Sequence, residues 1–163
     1  MRTALLERSN TPIRVVLGPQ DDYFTSAALA TFFSESYAIS GRFDRMGYWL
    51  EGPKLAHAAG FDIVSDGIPL GAIQVPGSGQ PVILMADHQA TGGYPKLGTL
   101  TRADAGRFAQ HRPGERVRFT PCTVEAAHHA LRDVYSTLDE TSVSASDEIL
   151  GSSNLIGGVV DGS

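Results

Sequence analysis

The sequence predicts a mainly β domain that closes into a small barrel, and two observations lead to this expectation. Short apolar runs of strand length recur along the chain and end at turn residues, as Val82–Ala86 does. The 163 residues include 18 Gly and 9 Pro, which favours many turns over long helices. Six or so short strands joined by turns, with two or three short helices, are typical of a closed barrel.

The first half of the predicted barrel follows a leader at residues 1–12. Strands are expected at residues 13–17, 36–40 and 48–51, with a turn-rich link at 41–47. Asp21 or Asp22 is expected to cap a short helix that runs to about Phe33. The residues spaced to form the buried face of this helix are Phe24, Ala28 and Phe32.

The second half begins after an irregular stretch at residues 54–69. Strands are expected at residues 72–75, 82–86 and 116–119, and a short helix at 101–110 with Thr101 and Asp104 as its capping box. Thr123 is expected to cap a last helix. Its apolar face would contain Val124, Ala127, Leu131, Val134 and Leu138. The barrel domain is therefore placed at residues 13–138, followed by a flexible polar tail at 139–163.

Composition excludes several classes of function. The formal net charge is −5 and no basic stripe is present, so nucleic acid is not an expected partner. No apolar run approaches the ~20 residues of a membrane span. Cys122 is the only cysteine, which rules out an intrachain disulfide and suits a reducing compartment, so the cytoplasm is the expected location. We expect this thiol to be buried and inert.

Common catalytic motifs are missing from the sequence. There is no GxxxxGK[ST] phosphate loop and no GxSxG elbow. His128 and His129 are adjacent on a predicted helix, so they point to different faces and cannot chelate one ion together. No metal site is expected, and no catalytic residue is assigned.

The polar loop Asp87–Lys96 is the strongest candidate site. Gly92 and Gly93 allow a ligand to approach backbone N–H groups, while Gln89, Thr91 and Lys96 offer directed polar contacts. This composition indicates a loop that binds an anion or a carbonyl group. The alternative is a tight turn that needs glycines and whose polar side chains only face water.

A family resemblance supports the functional interpretation. The motif GRFDRMGYWLEG at residues 41–52 is similar to the pattern S-x-R-x-D-R-M-G-Y-R-L-x-G of allophanate hydrolase subunit 2 proteins, also described as KipA-like or as the biotin-dependent carboxyltransferase family. The resemblance covers about residues 13–135. The other motifs that match it in order are Ser65-Asp66-Gly67, Gly71–Pro76, Gly79-Gln80-Pro81 and Asp87–Pro95.

The resemblance implies a cyclophilin-like β-barrel that forms the second half of a full-length subunit. It further implies a KipI-like partner subunit and, in the 5-oxoprolinase complex, a third subunit of the LamB/YcsF type. That complex uses ATP to open 5-oxoproline to glutamate. No cofactor is expected in this chain alone, whose partners would include the N-terminal half of the same family or a second copy of the chain.

The resemblance also suggests which residues would bind the substrate. Arg45 and Lys96 would hold an anionic group, while Gln74 and Gln89 would bond an amide or carbonyl. Other expected contacts come from the loop residues His88, Thr91, Gly92, Gly93 and Tyr94. The sequence departs from the family at Trp49 and His88, where Arg is usual or frequent, and at Ala90, where Thr is usual.

Two other functions fit the same resemblance. One is transfer of a carboxyl group between biotin and urea or a similar amide. The chain has no Met-Lys biotin-attachment motif, so biotin would arrive on a separate carrier. The other is a KipA-like regulatory module that binds a partner without catalysis.

Overall fold

The computed structural model describes residues 11–152, with side chains described for residues 11–138. This part of the chain forms nine strands, three α-helices and a 3-10 turn at Asp21–Tyr23. The strands are β1 (Ile13–Leu17), β2 (Ser36–Phe43), β3 (Gly47–Glu51), β4 (Asp66–Gly67), β5 (Ala72–Gln74), β6 (Val82–Leu84), β7 (Thr91–Gly92), β8 (Lys96–Leu100) and β9 (Arg116–Pro121). The helices are α1 (Ser26–Ser34), α2 (Arg102–Phe108) and α3 (Val124–Ser152).

Seven strands close into a barrel in the order β1-β8-β5-β6-β3-β2-β9. Closure depends on β1, which pairs antiparallel with β8 and parallel with β9. The two remaining strands, β4 and β7, form a separate ribbon in which Asp66 lies opposite Gly92. The expected mainly β barrel is therefore confirmed.

Alternation along the strands separates a core inside the barrel from a smaller cluster on its outer wall. On β6, Ile83 points into the main core, whereas Val82 and Leu84 belong to the outer cluster. Ile68 covers this outer cluster from the irregular segment that precedes β5. The outer wall beside β5 and β6 is therefore covered by chain and is not open to solvent.

The helix α1 closes against β9 through aromatic packing. The ring of Phe32 stacks on that of Phe119 with centroids 4.6 Å apart. Phe24, Ala28 and Phe32 are all buried, as expected. The predicted cap was wrong, because the hydroxyl of Thr25 accepts the Ala28 N–H, while Asp21 and Asp22 lie in the preceding 3-10 turn.

The capping box predicted for α2 was also wrong. Thr101 takes the N-cap position, but no side-chain hydrogen bond forms there. The Asp104 carboxylate is used elsewhere. It accepts from the backbone N–H, Nε and Nη2 of Arg14 at 2.8–2.9 Å and forms an ion pair with Arg107 at 3.2 Å. This buried carboxylate therefore ties α2 to the middle of β1.

Two further differences concern element length. The strand β2 continues to Phe43 through an irregular register, so part of the expected link at residues 41–47 is strand. The helix α3 continues to Ser152, although a polar tail was expected from residue 139. Its expected apolar face packs only in part, since Val124 and Leu138 are exposed. Ala130, which was not expected on this face, is buried. Within residues 11–152, no helix is both long enough and apolar enough to cross a membrane.

The first prediction concerns the Asp104 carboxylate. Burial alone would raise the pKa of Asp104, but hydrogen bonds from Arg14 and the charges of Arg107 and Arg14 hold it below its usual value. Asp104→Asn leaves two partly buried guanidinium groups without their anion, so we expect a loss of about 2–4 kcal/mol in the free energy of unfolding at pH 7. Urea denaturation measures this loss.

The lowered pKa of Asp104 also determines how the stability loss in Asp104→Asn depends on pH. A lowered folded-state pKa contributes stability above the unfolded pKa of about 3.9, and this contribution is lost as the pH falls through the folded pKa. The stability gap between the wild type and Asp104→Asn should therefore narrow below about pH 4. Asp22→Asn, at an exposed aspartate, is the control. A gap of the same size at pH 3 and pH 7 would contradict this account.

Candidate functional site

The candidate site lies on the outer wall of the barrel beneath the β4–β7 ribbon. The loop Asp87–Lys96 leaves β6, runs through β7 and returns as β8. Ile73 and Leu97 belong to the core inside the barrel, so their neighbours Gln74 and Lys96 point outwards. Both outward residues are nevertheless buried, with exposures of 3% and 1%. The covering chain therefore buries an amide and an ammonium group together on one wall.

The Lys96 ammonium is paired with a carboxylate that lies closer to solvent. Its Nζ donates to Asp66 Oδ2 at 3.0 Å. The Asp66 side chain is 53% exposed, whereas that of Lys96 is 1% exposed. An ammonium group can donate three hydrogen bonds. Among the side chains that the structure describes, the Lys96 ammonium donates to the Asp66 carboxylate. Asp66 therefore separates the buried charge from water.

Gln20 completes the contacts of this pair. Its backbone N–H donates to the carbonyl of Lys96 at 3.2 Å, and its Oε1 accepts the N–H of the same residue at 3.1 Å. These two bonds fix the amide beside β8, and its Nε2 donates to Asp66 Oδ2 at 3.3 Å. One carboxylate oxygen therefore receives two donors that the barrel wall holds in place.

The electrostatic consequence appears at Asp66. Hydrogen bonds from Lys96, from the backbone N–H of Gly67 and from Gln20 hold the pKa of this carboxyl below its usual value. The Asp66 side chain is therefore a carboxylate anion at neutral pH, in direct contact with the Lys96 ammonium group.

Gly92 allows the ribbon to lie directly on the wall. A Cβ at this position would meet the Ile68 Cδ1 atom at 2.8 Å and the Gln74 Nε2 atom at 2.9 Å. The Gln89 amide is also near, with its Nε2 3.6 Å from the same point. Gln74 Nε2 donates to the carbonyl of Tyr94 at 3.3 Å. The structure thus brings Gln74 and Lys96 together beneath the ribbon, with Gly92 lying against Gln74 and the exposed Gln89 at the edge of the covered area.

The other expected site residues lie at the periphery. Arg45 is 81% exposed and pairs with Asp87 at 2.8 Å, where the loop begins. The imidazole Nδ1 of His88 contacts the carbonyl of Gln89. The carbonyl of Gly93 accepts from Ile63 N–H, and the ribbon residue Thr91 and the ring of Tyr94 are exposed. Their side chains do not join Lys96 and Gln74 beneath the ribbon.

Sequence reasoning missed Asp66 and Gln20. The sequence indicates Asp66 only as part of the matching motif Ser65-Asp66-Gly67, although an aspartate beside glycine is also a common hydrogen-bond acceptor. Gln20 follows Gly18-Pro19 and carries no sequence signal of its own. Trp49, one of the departures, packs on the outer cluster, and the Arg42 guanidinium lies 4.2 Å from its ring centroid.

The arrangement is suited to binding and polarising a ligand. A positive charge and two amides can hold a carboxylate and a carbonyl oxygen. A nucleophile beside a base is not found among these site residues. Cys122 lies elsewhere, at the end of β9, and burial raises the pKa of its thiol.

Comparisons with known proteins agree with this architecture. The chain is 36% identical over 121 residues to the 5-oxoprolinase C subunit of Escherichia coli, and the match covers 74% of this chain and 39% of that protein. It is 35% identical to the corresponding 5-oxoprolinase component of Haemophilus influenzae, over 79% of this chain and 43% of the relative. The crystal structure of K. lactis urea amidolyase matches 72% of this chain and 8% of that protein at 26% identity, with a TM-score of 0.67.

The match to a family model covers the barrel. The chain spans about two fifths of the length of the two bacterial relatives. The family model described as "Carboxyltransferase domain, subdomain A and B" matches residues 2–121 of the chain. This match ends at the last residue of β9. The helix α3 lies beyond it. The chain therefore belongs to the family of carboxyltransferase domains with subdomains A and B.

Proposed function

We propose that this chain supplies the substrate-binding barrel wall of an ATP-dependent 5-oxoprolinase complex. The observation that supports the proposal is the burial of Lys96 and Gln74 on one wall beneath the same ribbon. A cyclic amide that carries a carboxylate needs both kinds of group, a cation and an amide donor. The identity of 36% and 35% to components of two bacterial 5-oxoprolinases favours this substrate.

Each side chain then has a separate role. Lys96 attracts the carboxylate, and the amides of Gln74 and Gln89 bond the lactam carbonyl, on whose oxygen negative charge develops during ring opening. Arg45, at the exposed start of the loop, attracts the anion from solvent. His88, Thr91, Gly93 and Tyr94 would contact the substrate from the rest of the loop. None of these groups attacks the carbonyl, so the chemistry depends on other parts of the complex.

The complex would contain several components besides this chain. We propose that these are a KipI-like subunit, a LamB/YcsF-like subunit and the N-terminal half of the family's full-length subunit. ATP would be bound and hydrolysed by those components, because this chain has no phosphate loop. The single cysteine suits assembly in the cytoplasm.

A second candidate is carboxyl transfer to urea or a similar amide. The TM-score of 0.67 to K. lactis urea amidolyase favours it. The same amides would then bond the acceptor amide, and biotin would arrive on a separate carrier. Transfer of labelled carboxylate from carboxybiotin to urea, with no ATP-dependent release of glutamate from 5-oxoproline, would favour this candidate.

The second prediction is a reconstitution. The purified chain alone should release no glutamate from 5-oxoproline and ATP. Addition of the N-terminal half of the family's full-length subunit, together with the KipI-like and LamB/YcsF-like subunits, should produce ATP-dependent glutamate release in a coupled assay. Glutamate release by the chain alone would contradict the division of labour proposed above, and no release by the complete mixture would contradict the substrate.

The third prediction tests the loop amide in that mixture. Gln89→Ala removes one directed hydrogen bond to developing charge, so turnover should fall by roughly 10²-fold. Gln89 is exposed, so the free energy of unfolding should change by less than about 0.5 kcal/mol. Melting curves measured in parallel separate the two effects.

Gln110→Ala is the matched control for Gln89→Ala. Gln110 follows α2, where its amide donates to the carbonyl of Gly106. The control should leave turnover close to the wild-type value. Unchanged turnover in Gln89→Ala, or an activity loss in proportion to lost stability, would reduce this loop to a structural turn.

A further inference from the structure

The ion pair on the barrel wall has an unusual distribution of burial. In most surface ion pairs both charges meet water, but here the ammonium of Lys96 is covered and the carboxylate of Asp66 is half exposed. A buried cation without an anion is costly, so Lys96 requires a carboxylate nearby. The requirement is for the chemical group, and any carboxylate that reaches the same place can meet it.

The donors of the site are fixed without help from Asp66. Gln20 is held to the backbone of Lys96 by two hydrogen bonds, which aim its Nε2 at the same point as the Lys96 Nζ. Lys96 itself belongs to β8, whose partners are the barrel strands β1 and β5. The barrel wall therefore presents a preorganised anion site, of which Asp66 Oδ2 is the present occupant.

The occupant is carried by a weakly held segment. Residues 58–67, called here the strap, join the buried residues Leu55 and Ile68 and are exposed except for the half-buried Ile63. Backbone hydrogen bonds hold the strap from Ala58 N–H to Tyr23 O, from Ile63 N–H to Gly93 O and in the two-residue ladder with β7. Its side-chain contacts include the bonds of Asp66 to Lys96 and Gln20 and the half-exposed ring of Phe61, whose centroid lies 6.1 Å from that of His57. A segment with little buried apolar surface opens at low cost in free energy.

We infer that Asp66 fills an anion site formed by Lys96 and Gln20, and that a carboxylate of the substrate displaces it when the strap lifts; this inference rests on the proposed function. Exchange of one carboxylate for another leaves the buried charge compensated before and after binding. The Asp66 carboxylate competes with the ligand for the anion site. The apparent affinity for the ligand is therefore the intrinsic affinity multiplied by the fraction of molecules in which Asp66 has left the site. The ligand class is therefore a small carboxylate.

The fourth prediction is a binding experiment on the full chain with acetate and with 5-oxoproline, titrated by calorimetry at constant ionic strength. Asp66→Ala removes the competitor, so acetate should bind at least about tenfold tighter than to the wild type. Lys96→Met in the Asp66→Ala background should abolish this gain. Asp62→Ala, at an exposed strap aspartate, changes the net charge equally and should leave acetate affinity at the wild-type value.

Equal acetate affinity in the wild type and Asp66→Ala, or a gain that survives Lys96→Met, would overturn the inference. Acetate carries no amide, so its binding tests the anion site apart from the lactam. Tight acetate binding with no preference for 5-oxoproline would support the site and contradict the proposed substrate. Active reconstituted enzyme without the acetate effect would overturn the site alone.

Hydrogen exchange in the wild type gives a test that needs no variant. The amides of Ile63 and Ile68 donate to carbonyls of the loop at 2.8 and 3.0 Å, so they report the closed strap. Acetate at a saturating concentration should speed their exchange relative to chloride. The Leu100 amide, which donates to Gly71 O within the barrel, is the internal control and should not change. Unchanged exchange at both the Ile63 amide and the Ile68 amide would overturn the displacement.

Discussion

Closure of the barrel by the parallel pairing of β1 with β9 is the constraint on which the rest of the structure depends. Because β1 also pairs with β8, both of its edges are used and its side chains are sorted between the core and the outside. Ile13 and Val15 enter the core, while Arg14 points outwards to Asp104. The absence of a side chain at Gly98 permits the close approach of β8, since a Cβ there would meet Val16 O at 2.7 Å.

A closed barrel also determines where a polar site can be built. Its interior is filled by apolar and aromatic side chains, so polar groups on the strands must point outwards. Gln74 and Lys96 follow this rule and are nevertheless buried. Gly92 of the ribbon lies against Gln74, and Asp66 of the strap pairs with Lys96. The cover brings its own carboxylate. The charge of Lys96 is therefore compensated by the same segment that excludes water from it.

The fold was largely predictable because its signals are local. The apolar run that contains β6 and the spacing of Phe24, Ala28 and Phe32 each depend on a few neighbouring residues. The errors arose where a distant partner decided the outcome. Asp104 bonds to Arg14, 90 residues away, so it does not serve as a local cap. The loop was found from its glycines, but the partners of Lys96 lie 30 and 76 residues away and have no local pattern.

The chain enters and leaves the barrel at neighbouring points. Ile13 at the start of β1 lies opposite Phe119, and Pro121 at the end of β9 lies opposite Val15. Two junctions that lie side by side allow a folded unit to be inserted into a longer polypeptide without long spanning connections. The barrel is therefore a cassette in the geometric sense. This property suits a segment that matches 39% of one relative and 8% of a much larger urea amidolyase.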